Sequence, residues 1–123
     1  MLPSQSRLRH TADIGRVRRQ GRRWQHPLVV LFVAGQSPET PSASRFAFAV
    51  GRHIGKATRR NRVKRRLREI VRRNLDRIVP GYDCLFVARP DAAMASHQEL
   101  ESAVMQLLDR GGVLMDVQTK TVE

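Results

Sequence analysis

The chain has one cysteine, one tryptophan, one tyrosine and only 11 acidic residues among 123. Each shortage excludes something. A lone thiol, Cys84, cannot form an internal disulfide and suits a reducing compartment. Nor can it build a structural zinc site, and His10, His26, His53 and His97 are scattered without ligand spacing. There is no glycine-rich phosphate loop and no nucleophile motif. The longest apolar run, residues 28–34, has seven residues, whereas a membrane span needs about 20. The N-terminal MLPSQSRLRH has no apolar stretch, so no secretory signal is expected. A cytoplasmic protein without a membrane partner is the expectation.

What is abundant is positive charge. Twenty Arg and three Lys face the 11 acids, for a net of +12 with histidine neutral. Such an imbalance repels itself in the folded state and favours a polyanionic partner. GC-rich mutational bias accounts for much of the preference for Arg over Lys, although Arg also matches phosphate with a planar fork of donors. The charge is uneven. Residues 52–73 carry 11 bases and one acid, Glu69, a net of +10. Residues 7–23 reach +6, and residues 81–123 fall to −4. The cationic surface therefore belongs to the N-terminal arm and the middle of the chain. The last third is expected to support the fold, facing away from the partner.

Patterning gives the elements. Residues 2–9 look mobile. Residues 11–20 suit a short helix with Thr11 as N-cap, Ile14 and Val17 a turn apart, and Gly21 as the stop. A short strand around Trp24 precedes residues 28–34 (LVVLFVA), which read as a strand buried on both faces. Residues 36–44 are a loop. Residues 45–50 (RFAFAV) alternate as a strand does. Residues 58–77 then read as a helix of about 30 Å. Val63, Leu67, Ile70, Val71, Leu75 and Ile78 form its apolar stripe. Residues 83–89 (DCLFVAR) form a last strand. Ser96 and Glu99 have capping-box spacing and open a helix that stops at Gly111-Gly112. The order α-β-β-β-α-β-α predicts an α+β two-layer sandwich with helices on a small sheet. Strands 45–50 and 83–89 are expected to be parallel, and the generic rule gives a right-handed crossover. Residues 1–112 are expected to form a single domain, with residues 113–123 a frayed tail.

The strongest functional signal lies on the long helix. Arg60, Lys64 and Arg68 stand four apart, a spacing at which like charges destabilise a helix by a few tenths of a kcal/mol per pair. Arg62, Arg65, Arg66 and Arg73 widen the same surface. A solvated helix face is the alternative, but such faces ordinarily mix signs. Asn61 suits either local backbone bonding or RNA contact. Phe46, Phe48 and Phe86 are expected in the core. Phe32 sits on a strand apolar on both faces. Trp24 suits either a stacking platform or a sheet-edge filler. Nothing places Asp13 and Asp83 together, so if RNA is cut, the chemistry belongs to a partner.

Residues 48–69, FAVGRHIGKATRRNRVKRRLRE, resemble the signature of the bacterial ribonuclease P protein family. There a strand leads through a basic loop and a glycine into a helix opening on Arg-Asn-Arg, here Arg60-Asn61-Arg62. RLRHTADIGRVRRQGRR resembles the family's first helix, and DCLFVARP its last strand. The resemblance runs to about Gly112. It implies a ribosomal protein S5 domain 2-like fold whose βαβ crossover is left-handed, against the generic rule. It implies a partner, the catalytic RNA, that carries the active site and its Mg²⁺; no cofactor is assigned to this chain, and no obligate protein partner is inferred. Together they would remove the 5′ leader of precursor tRNA to give the mature tRNA end. Arg52, Lys56, Arg60, Asn61, Arg62, Lys64, Arg65 and Arg68 would face the RNA. A cleft with Ile14, Arg18 and Phe32 would hold the single-stranded leader, although the family usually has Phe where Ile14 and Arg18 stand. Two rivals are a ribosomal-type or general RNA-binding protein and a metal-dependent nuclease acting alone.

Overall fold

The computed structural model describes residues 2–39 and 42–115. Helix α1 spans Thr11–Gln20, α2 spans Ala57–Arg73 and α3 spans His97–Arg110. The strands are β1 (Arg22–Gln25), β2 (Val29–Gly35), β3 (Arg45–Ala49) and β4 (Tyr82–Ala88). They form one sheet in the order β1-β2-β4-β3. Strand β2 runs antiparallel to β1 and β4, while β3 runs parallel to β4 as expected for strands joined by a helix.

Alternation along the strands divides the residues between two faces. Val29, Leu31, Val33, Phe46, Cys84 and Phe86 join Val63, Leu67, Ile70 and Val71 of α2 and Leu100, Val104, Leu107 and Leu108 of α3 in the main core. Phe86 stacks against Phe46 and Phe48 at centroid distances of 6.5 and 5.8 Å. Burying each aliphatic side chain of the α2 stripe stabilises the fold by roughly 1.5–3 kcal/mol, which offsets the repulsion among the cations opposite. Leu67→Ala would cost about 2–5 kcal/mol. The second face carries a smaller cluster, Leu8, Val17, Ala47 and Leu85, with Ile14, Phe32, Ala34, Ala49 and Val87 only partly covered. Helix α1 lies across this face and is too short to close it. The expectation that the second strand is buried on both faces therefore fails at Phe32 and Ala34, which are half-exposed.

Several boundaries differ from the sequence reading. Residues 2–9 are fixed: Leu2 and Leu8 are buried, and Leu8 N–H donates to the Phe46 carbonyl at 2.9 Å along the outer edge of β3. An edge strand offers unpaired backbone groups, and this arm takes some of them. That pairing keeps the chain extended up to His10, so His10 is the N-cap and Thr11 is already helical. Helix α2 stops at Arg73, where the Asn74 side chain donates to the Ile70 carbonyl at 2.7 Å; a 3-10 turn, Leu75–Arg77, follows. The tail is attached at its start, because Val113 is fully buried and Leu114 bridges Ile78. The remainder of the predicted frayed tail, 116–123, lies outside the described residues. The Ser96–Glu99 capping box is formed, at 2.8 and 3.0 Å. Gly21 is required by close approach, since a Cβ there would lie 2.5 Å from the Val17 carbonyl oxygen.

Candidate RNA interface

The apolar stripe of α2 faces the core, so the opposite side of the helix presents its cations. Arg62, Arg65 and Arg68 are exposed, as are Arg52 and Lys56 just before the helix; Arg60 and Lys64 are half-buried. None of these seven makes a salt bridge or a side-chain hydrogen bond within the described residues. Asn61 is exposed, and the helix begins four residues before it, so it caps nothing. Glu69 does not neutralise this row; it pairs with Arg72, whose Nε donates to it at 3.0 Å. Arg66 turns away and donates to the Ala95 carbonyl at 3.3 Å. Gly55, at φ 128°, sits in a region that side chains rarely adopt and turns the basic loop into α2.

The second surface is the uncovered part of the α1 face. The Arg18 guanidinium lies 5.9 Å from the centre of the Phe32 ring, within cation–π range. Ile14, one turn earlier on α1, packs with the same cluster as Phe32. The three predicted cleft residues are therefore brought together. Register adds one that the sequence reading missed: Arg23 of β1 is directly opposite Phe32 and exposed. Strand β1 has four residues, too few for alternation to assign Arg23 a side. Trp24 points to the other face and packs against the main core, with the Arg22 guanidinium 5.5 Å from its ring. It fills the sheet edge.

At the end of this face Asp83 is fully buried. It accepts from Arg45 at 2.9 and 2.7 Å, from Arg16 at 2.6 Å and from Gln36 at 3.0 Å. Arg45 also approaches Asp13 at 3.9 Å, so the two acids meet through a shared arginine. Burial pushes the Asp83 carboxyl up, but the hydrogen bonds and the charges of Arg45 and Arg16 outweigh it and hold the group below its ordinary value. Cys84 beside it is buried, and its thiol is pushed well above the usual range, which makes it unreactive.

The two surfaces meet at the β3 edge. A cavity of about 320 Å³ there is lined by Leu8, Arg9, Ile14, Phe48 and Arg68, among others. Ile14 belongs to the cleft and Arg68 to the cation row. Among the described residues no three His, Cys, Asp or Glu side chains gather in a metal-binding group, and no helix is long and apolar enough to cross a membrane.

A row of unpartnered cations beside a half-covered apolar cleft, on a small α+β sandwich, is the electrostatic footprint of a nucleic-acid-binding protein. Residues 2–112 match the family model for ribonuclease P. The ribonuclease P protein component of Herpetosiphon aurantiacus is 39% identical over 110 residues, covering 89% of this chain and 87% of that one. That of a Roseiflexus species is 41% identical over 109 residues, covering 88% and 87%. The Thermotoga maritima RNase P protein superposes with a TM-score of 0.75 at 30% identity, covering 85% of this chain and 96% of that one. The Staphylococcus aureus protein shares the fold, with a TM-score of 0.80 at 22% identity over 89% and 97%. The chain belongs to the ribonuclease P protein family. Its function is that of a ribonuclease P protein component, acting in tRNA processing, and the general RNA-binding alternative is not favoured.

Proposed function

We propose that this chain binds the catalytic RNA through Arg52, Lys56, Arg60, Asn61, Arg62, Lys64, Arg65 and Arg68, and holds the 5′ leader of precursor tRNA in the cleft of Ile14, Arg18 and Phe32. The observation that supports this reading is the cavity lined by both Ile14 and Arg68, which sets one end of the cation row beside the cleft. A folded RNA docked on α2 would have a single strand leaving it along the cleft. There the bases would lie against Phe32 and the guanidinium of Arg18, a combination suited to unpaired nucleotides. The phosphates would meet Arg23 and Arg9 on the rims.

Hydrolysis is assigned to the RNA subunit and its Mg²⁺. This chain's part is to bind and orient the leader and to offset phosphate repulsion during assembly. Purified protein incubated with precursor tRNA, with and without the catalytic RNA, tests the division of labour. Cleavage is expected only with the RNA present. Cleavage by the protein alone would return the reaction to this chain.

A further inference from the structure

We propose that Asp83 is a positioning residue for the leader cleft: it sets the placement of α1 over the sheet, and so the width of the cleft, without itself touching RNA. This rests on the cleft being the leader site.

Among the described residues Asp83 is the one buried acid. The fork of Arg45, from β3, holds both of its oxygens, and Gln36, just past β2, holds Oδ1. The carboxylate is thus fixed to the sheet before α1 is considered. Its Oδ2 then receives Arg16 of α1 at 2.6 Å. The third nitrogen of Arg45 reaches Asp13, also on α1, at 3.9 Å. Apart from this junction α1 is held by Val17 and Ile14 on the sheet, by Arg18 over Phe32 and by its own bonds. A ten-residue helix is marginal alone, so it depends on these contacts, of which the Asp83 junction supplies the hydrogen-bonded one. Arg16 lies between Ile14 and Arg18 in sequence, and the Arg18–Phe32 separation of 5.9 Å is the distance this junction governs.

The alternative is that Arg16 and Arg45 contact RNA themselves, and the two ideas predict opposite signs. Asp83→Asn removes a negative charge and loosens two guanidinium groups. Direct contact then predicts tighter binding of every RNA. Positioning predicts weaker binding of the precursor alone. The holoenzyme should be reconstituted from the RNA subunit and wild-type, D83N, R16Q or F32A protein, with affinities measured for precursor and mature tRNA. D83N is expected to lower the precursor-to-mature affinity ratio by about tenfold, the scale of one displaced base stack, and R16Q by less. In the free proteins, α1 amides should exchange faster in both variants while α2 amides stay as they were. An unchanged or raised ratio for D83N overturns the proposal. If D83N does not fold, R16Q decides: loss of precursor affinity with unchanged α1 exchange assigns Arg16 to direct contact. A normal ratio for F32A removes the cleft reading and this proposal together. Loss in F32A with unaltered D83N and R16Q overturns the positioning role only.

Discussion

Along α2, Arg62, Arg65 and Arg68 stand in solvent without an acidic partner among the described residues, whereas on the far side of the sheet Arg16 and Arg45 close on one buried carboxylate. The same side chain serves two ends. At Asp83 the cations are partnered within the fold, and their effect is to fix geometry. Arg62, Arg65 and Arg68 of α2 are left unpartnered, and the repulsion among them is tolerated because the buried stripe of Val63, Leu67, Ile70 and Val71 holds the helix. Counting arginines therefore overstates the RNA-facing charge. Arg16, Arg45, Arg66 and Arg72 are occupied by the protein itself.

The largest effect that can break this distinction is ionic strength. If the unpartnered row neutralises about six to ten phosphates, affinity for the RNA subunit should fall by about 10³–10⁵ between 50 and 200 mM salt. Titration at several salt concentrations measures the slope. A flat log–log plot would mean that α2 is not an electrostatic docking face.

Next in size is the removal of individual cations. Arg60→Ala and Arg62→Ala should each weaken assembly by about 1.5–3 kcal/mol, the range of a charge-assisted hydrogen bond. Melting of the free protein should hold or rise slightly, because like-charge repulsion drops. A large fall in Tm with RNA affinity intact would place these arginines with Arg16 and Arg45 as structural.

This division was only half legible in the sequence. The α2 stripe was readable because its 3.6-residue period is strong and the charge opposite is of one sign. Periodicity then ran too far: Leu75 and Ile78 keep the spacing, but Asn74 turns its amide onto the Ile70 carbonyl and ends the helix. The Asp83 junction was invisible, because Arg16, Gln36, Arg45 and Asp83 are brought together only by strand order. The fixed N-terminal arm was missed for a similar reason. Its polar composition resembles a mobile end, and its order comes from an edge strand 38 residues away that accepts Leu8 N–H at Phe46. The grouping of Ile14, Arg18 and Phe32 comes from family resemblance alone; in the structure Arg18, which stands where the family usually has Phe, lies over the Phe32 ring.

The cleft offers a third, smaller test, specific to substrate. Phe32→Ala should weaken precursor tRNA binding by about 1–3 kcal/mol, the value of one base–aromatic stack, and leave mature tRNA nearly unchanged. Ile14→Ala should act in the same direction but less, since an aliphatic side chain gives contact without a π face. Circular dichroism and assembly with the RNA subunit must stay normal for the comparison to count. Equal losses for both tRNAs would move the leader elsewhere.

Acid sharpens the other half of the contrast. The folded pKa of Asp83 is depressed, so its ion pairs contribute stability that is fully present above the ordinary carboxylate pKa of about 4 and is lost as pH falls through the lower folded value. Tm measured against pH should drop in that window, with a shallower slope in Asp83→Asn. An identical slope would show that Asp83 is not the group being titrated.

The smallest expected change is at Glu69, the one acid on α2. Its carboxylate and the Arg72 guanidinium are each 40% exposed. Pairing between exposed groups is weak, because water screens both charges and two long side chains must be held in place. Glu69→Gln should therefore leave Tm almost unmoved. Its effect on assembly follows from where the pair sits. Arg72 is a turn beyond Arg68, at the end of the unpartnered row, and Glu69 keeps it partnered within the protein. Releasing it adds one cation to the docking face and removes one anion beside it. Affinity for the RNA subunit should rise, by less than about fivefold, and the salt slope should steepen by no more than about one phosphate. A clear loss of affinity would mean that Glu69 orients Arg72 for the RNA, which would put a partnered arginine on the docking face beside the unpartnered ones.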